Sequence, residues 1–173
     1  AAIQLARHFG AATVIATSRG TRKAEALRAI GAALVIDTEA PQWPDTLLAA
    51  TSGRGVDVIV DQVGAPLLEG MVRALAVGGR LVTVGRNGGA KGVCDLDEIA
   101  RKNARIIGTS FRTRTAEQTW RCIERFGEDT LQALDDGAIH PVVDRVYPLD
   151  AMADALAYLR SNAQVGKVAI EVA

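Results

Sequence analysis

The sequence predicts a doubly wound α/β fold built on a parallel sheet. Three observations carry this. Short β-branched runs alternate with helix-length amphipathic segments, the rhythm of βαβ units. The runs are nearly continuous in apolar residues, as in strands buried on both faces. Gly10, Gly31 and the Gly78-Gly79 pair fall just past predicted helices, where a left-handed residue closes the last turn.

In order, strands are expected at residues 13–17, 33–36, 56–61, 80–84 and 105–109. Helices are expected at 1–9, 21–30, 43–51, 66–76 and 96–102, each from apolar spacing with polar gaps. After Thr109 the texture changes. A long helical stretch covers 116–136 and stops at Gly137; a short run at 142–147, a helix opened by Pro148 and a run at 167–172 follow. Those last two runs leave the βαβ rhythm and read as edge pieces, or as partners of something outside the chain. Domains are accordingly expected at 1–110, for nucleotide binding, and 111–173.

The 173 residues suffice for one well-packed domain, and the balance of 20 basic against 20 acidic residues leaves no field of one sign. Nucleic acid and anionic membranes are therefore not expected partners, and no apolar run reaches spanning length. Cys94 and Cys122 have no second cysteine or histidine at metal-ligand spacing, so no metal is expected and free thiols in a cytoplasmic protein are the default. His8 and His140 show no triad logic, and no serine sits in a nucleophile elbow.

The first helix lacks a preceding strand. In a doubly wound sheet of order 3-2-1-4-5-6, strand 1 is central and the glycine loop after it seats a pyrophosphate on a helix N-terminus. The expectation is a segment of a longer protein, a fold without its first strand and glycine loop.

The residues after the first predicted strand are Ser18, Arg19, Arg22 and Lys23. A carboxylate there would accept from the free 2′-hydroxyl of NAD; a hydroxyl followed by cations suits the 2′-phosphate of NADPH. The bland alternative is a solvated helix start, although cations there oppose the helix dipole unless an anion joins them.

Several runs resemble the medium-chain dehydrogenase/reductase superfamily. Residues 2–7 look like its helix after the glycine loop. Residues 53–64 (Gly-Arg-Gly-Val-Asp-Val-Ile-Val-Asp-Gln-Val-Gly) are similar to its fourth strand, and 75–85 (Leu-Ala-Val-Gly-Gly-Arg-Leu-Val-Thr-Val-Gly) to its fifth. Residues 108–114, 141–149 and 166–168 together resemble the zinc-independent quinone oxidoreductase branch. The resemblance implies a Rossmann-type fold and NADPH-dependent reduction of a quinone or enone. It also implies a homodimer, and a catalytic domain to which 111–173 returns.

By motif, Ser18, Arg19 and Lys23 would grip the 2′-phosphate, and a family tyrosine near it is replaced by Thr38. Val63 and Gly64 would meet the ribose, Val84 and Gly85 the nicotinamide, and the backbone around Thr109 and Phe111 its carboxamide. For Gly64 a plain strand-to-helix turn is the bland reading and does not exclude the ribose contact, and Phe111 reads as well as a core or hinge aromatic. Arg86, Asn87 and Gly88-Gly89 are read as a flexible loop, with Arg86 a solvated arginine in preference to a substrate contact. Asp61 is read as a structural strand-end carboxylate. No catalytic residue is nominated, because hydride transfer needs orientation and a solvent proton rather than a side-chain nucleophile. Competing readings are a zinc-dependent alcohol dehydrogenase of the same superfamily, a reductase module of a multidomain synthase, and a non-catalytic nucleotide-binding module.

Overall fold

A computed structural model describes residues 1–172. The chain forms two compact units. The first gathers Ala1–Ala16, Arg22–Val35 and the stretch from Arg125 onward; the second gathers Thr17–Thr21 and Ile36–Glu124. Ala173, the last residue of the predicted 111–173 domain, lies outside the described residues.

Strands β1 (Ile15–Ser18) and β2 (Leu34–Asp37) form a two-stranded ladder. Ala33 N–H donates to the Val14 carbonyl (2.8 Å) at one end and Thr38 N–H to that of Ser18 (2.9 Å) at the other, so the strands run parallel. A second ladder joins β3 (Val56–Asp61), β4 (Leu75–Thr83) and β5 (Arg105–Gly108), all parallel, with Asp61, Thr83 and Gly108 in register at the carboxyl end. The two ladders share no pairing.

Helices α3 (Trp43–Ala50) and α4 (Leu68–Ala74) supply the second unit's core. Trp43, Leu47, Met71, Val72, Leu75 and Leu81 are buried there. Gly55 enters β3 with φ +83°; a Cβ on it would lie 2.6 Å from the Ala74 carbonyl, so only glycine serves where α4 gives way to β4. Helix α5 (Leu96–Arg101) starts at Asp95, whose carboxylate accepts from the Asp97 N–H (2.8 Å). Just past α5, Lys102 is 9% exposed. Its ammonium donates to the Arg73 carbonyl (2.6 Å) and lies 3.0 Å from Glu98. It thereby closes the C-terminal end of α4, where carbonyls lack helical partners. This lysine and the flanking Arg101 hold the Glu98 carboxyl below the usual range.

Three expectations need correction. Burial on both sheet faces does not hold. Val58, Val60, Ile106 and Ile107 remain 39–52% exposed, because the near-continuous apolar pattern requires cover that no described residue supplies. The strand expected at 80–84 begins earlier, at Leu75. Leu75 and Ala76 are buried, the chain extends directly from α4 to pair with Val56, and Gly78-Gly79 lie inside this irregular strand rather than in a helix cap. The last two strands are not isolated either. β6 (Val143–Pro148) and β7 (Lys167–Glu171) pair in parallel around α7 (Met152–Arg160), a further βαβ unit within the first unit. Its rhythm was hidden because β6 alternates charged and apolar residues and is mostly exposed.

Asp144 ties that unit together. It accepts from Tyr158 O–H (2.7 Å) on α7 and from Val165 N–H (3.1 Å) before β7. Both bonds favour its charged form, with Tyr158 the larger influence. In the same unit, α1 (Ala2–His8) carries His8, whose Nε2 is 2.7 Å from the Asp129 carbonyl of α6 (Ala116–Asp135). Gln4 of α1 is buried beside His140, 3.3 Å from its Nε2. Both histidines are exposed, and their ring nitrogens lie against groups of the same unit.

Candidate functional site

In an open parallel sheet, ligands collect at the carboxyl ends of the strands. Because β3, β4 and β5 are parallel and in register, the structure brings Val63, Gly64, Val84, Gly85, Thr109 and Phe111 to one such edge.

The backbone there is largely self-satisfied. The buried Asp61 accepts at one oxygen from Val63 N–H (2.8 Å) and Gly64 N–H (2.9 Å), and its carbonyl accepts from Val84 and Gly85 N–H (2.7 and 3.1 Å). It is the structural strand-end carboxylate expected. Thr109 gives both its N–H (3.1 Å) and its hydroxyl (3.0 Å) to the Thr83 carbonyl. The amides of Val63, Gly64, Val84, Gly85 and Thr109 are thus committed within the protein.

Gly64 has φ +90° and pairs with Gly89; a Cβ on it would strike the Gly89 carbonyl oxygen. Loop packing alone already requires glycine at this strand-to-helix turn. The loop at 86–89 is also pinned rather than loose. Gly88 N–H donates to the Val63 carbonyl (2.8 Å) and the Asn87 side chain to that of Gln62 (3.3 Å). At Gly108, by contrast, a Cβ would meet nothing within 4 Å. An open cleft of about 690 Å³ lies there, lined by Arg86, Gly108, Thr109, Ser110, Thr113, Arg114, Gln118 and Arg121. Phe111 is 65% exposed, with the Arg114 guanidinium 4.8 Å above its ring, so it is neither core nor buried hinge.

The phosphate-binding candidates fall in both units. In the second, half-buried Ser18 donates to the Gly20 carbonyl (2.8 Å), exposed Arg19 is adjacent, and the Asp37 carboxylate accepts from Gly20 N–H (2.7 Å). In the first, Lys23 donates to the Asn162 side chain (2.9 Å) and Arg22 to its carbonyl (3.0 Å). Thr38 donates its hydroxyl to the Ser18 carbonyl (3.2 Å) and so holds the turn from within.

A nicotinamide dinucleotide fits the chemistry of the edge in one respect that is visible here: the room lies at Gly108-Thr109, bordered by hydrogen-bonding side chains. Among the described residues no group of three or more His, Cys, Asp or Glu is placed to hold a metal. Sequence reasoning did not single out Ser110, Arg114, Gln118 and Arg121, which line this cleft together with Arg86. Arg112-Thr113-Arg114 directly after a strand end was the available signal.

A parallel sheet with its candidate site at the carboxyl edge defines the class, a nucleotide-binding oxidoreductase fold. The family model described as "Zinc-binding dehydrogenase" matches residues 1–129, and the chain belongs to that family and so to the medium-chain dehydrogenase/reductases. It is 30% identical over 99% of its length to a probable quinone oxidoreductase of Leishmania amazonensis, covering 52% of that protein. It is 28% identical over 99% of its length to a zinc-type alcohol dehydrogenase-like protein of Schizosaccharomyces pombe, covering 48%. A solved NAD-dependent alcohol dehydrogenase superposes with TM-score 0.78 at 32% identity, covering 99% of this chain and 47% of that one. The chain thus spans about half the length of each. Among the described residues, no helix is long and apolar enough to cross a membrane.

Proposed function

We infer that the protein is the cofactor-binding part of an NADPH-dependent oxidoreductase that passes hydride to a quinone or another conjugated carbonyl. The observation that carries this is the turn after β1, a hydroxyl at Ser18 followed by Arg19 and then Lys23, with no carboxylate at the strand's end. A 2′-phosphate is the anion that such a turn suits. Val63, Gly64, Val84, Gly85, Thr109 and Phe111 are the proposed wall for the rest of the cofactor. When bound, NADPH supplies the hydride, and solvent supplies the proton that completes reduction. The reading includes a cytoplasmic homodimer, a boundary at 110/111, and a segment that is inactive alone.

A second reading, an NAD-dependent alcohol dehydrogenase, is favoured by the likeness to a solved enzyme of that description. Steady-state assays of the full-length protein separate the two. The first reading expects loss of NADPH absorbance with 1,4-benzoquinone or an enone, unaffected by a chelator. Alcohol-driven reduction of NAD that a chelator abolishes, without quinone turnover, would replace it by the second.

A further inference from the structure

Three arginines, 86, 114 and 121, share the cleft beside Gly108 with Ser110 and Gln118, and no Asp or Glu lines it. A guanidinium cannot shed its charge by deprotonation, so three in one cleft repel unless an anion joins them. Protein partners meet little of this demand. Arg121 lies 3.4 Å from Glu117 in a well-exposed pair, a weak neutraliser. Arg114 gives one N–H to the Cys122 sulfur, which is no counterion. Arg86 has no side-chain hydrogen bond or ion pair among the described residues.

The neutral groups point the same way. Ser110 Oγ accepts from Arg112 N–H (3.1 Å) and keeps its own proton. Gln118 Oε1 accepts from Thr115 N–H (3.0 Å), which leaves its NH₂ to donate. The cleft is rich in donors and poor in acceptors, which selects an anion with several oxygens.

We propose that this cleft binds a carboxylate carried by the hydride acceptor, so that the substrates are conjugated carbonyl compounds bearing an anionic group. The redox half rests on the hydride-transfer reading above; the carboxylate site stands on the cleft alone. The cofactor's own phosphates belong elsewhere in such a fold, at the first βα turn and, in the present reading, at Ser18 and Arg19.

Calorimetric titration of the full-length protein with (E)-but-2-enoate and its uncharged amide tests this. The carboxylate should bind about tenfold tighter than the amide, the value of one charged hydrogen bond. Added salt should erode the preference. Arg86→Gln/Arg114→Gln should abolish it; Arg86→Gln alone, at an exposed position, should weaken it about threefold. Arg105→Gln, which removes the same charge from the other end of β5, should leave it intact. Equal binding of acid and amide, or a preference that survives the double variant, overturns the proposal. So does 2′,5′-ADP or inorganic phosphate occupying the cleft better than the carboxylate, which would assign it to a phosphate. Quinone reduction by NADPH without carboxylate preference sinks this proposal alone. Carboxylate preference with no NADPH turnover upholds the cleft and removes the redox reading.

Discussion

Lys102→Met isolates what one partly buried cation does for the second unit. The methionine keeps most of the aliphatic volume, so packing changes little. What is lost is the bond to the Arg73 carbonyl (2.6 Å) and the partner 3.0 Å from Glu98. Hydrogen bonds to charged groups contribute about 1.5–3 kcal/mol each, while no longer burying an ammonium returns part of that. The net cost should be about 2 kcal/mol at pH 7. Glu98 adds a pH signature. Its folded pKa is depressed, chiefly by Lys102. Its stabilisation is therefore complete above the unfolded value of about 4.3 and is lost as pH falls through the folded value. The cost of Lys102→Met should shrink over that window, and Glu98→Gln should recover part of it at pH 7. Trp43, buried in α3, reports the unit's unfolding in urea once Trp120 is replaced by Phe. A cost below about 0.5 kcal/mol at pH 7 would refute the closing role of this lysine, and one unchanged between pH 7 and pH 3 would refute its coupling to Glu98.

Two further outcomes follow from contacts. A Cβ at Gly70 would collide with the Trp43 ring, so Gly70→Ala should cost about 1–3 kcal/mol and shift Trp43 emission as the indole moves. Tyr158 has its phenol pKa raised, first by its bond to Asp144. Asp144→Asn should therefore bring a tyrosine titration seen by ultraviolet absorbance down toward the ordinary value of about 10; an unchanged titration would show that the bond does not form.

Much of the fold was legible because its signals are local. The apolar runs at β3 and β5 and the glycines after α1 and α2 mark elements through periodicity and backbone freedom alone. β6 and β7 were not, because exposed strands carry charge and their pairing is non-local. The edge formed by Val63, Val84 and Thr109 was legible through parallel order, which places every strand's exit at one end. The arginine cleft was not. Arg86 and Arg114 lie on separate loops, 28 positions apart, and only the side-by-side exits of β4 and β5 put them on one opening. Asp37 was equally silent, since its carboxylate reaches the Gly20 amide across the β1–β2 ladder.

Ser18, Arg19 and Lys23, in the proposed function, hold a phosphate on the adenosine ribose. The direct measurement is the ratio of NADH to NADPH dissociation constants for the full-length protein and its Arg19→Asp variant. One charged contact to phosphate predicts at least about tenfold preference for NADPH, narrowed toward unity by the substitution. Equal affinities in the parent protein, or a preference that Arg19→Asp leaves untouched, would contradict it.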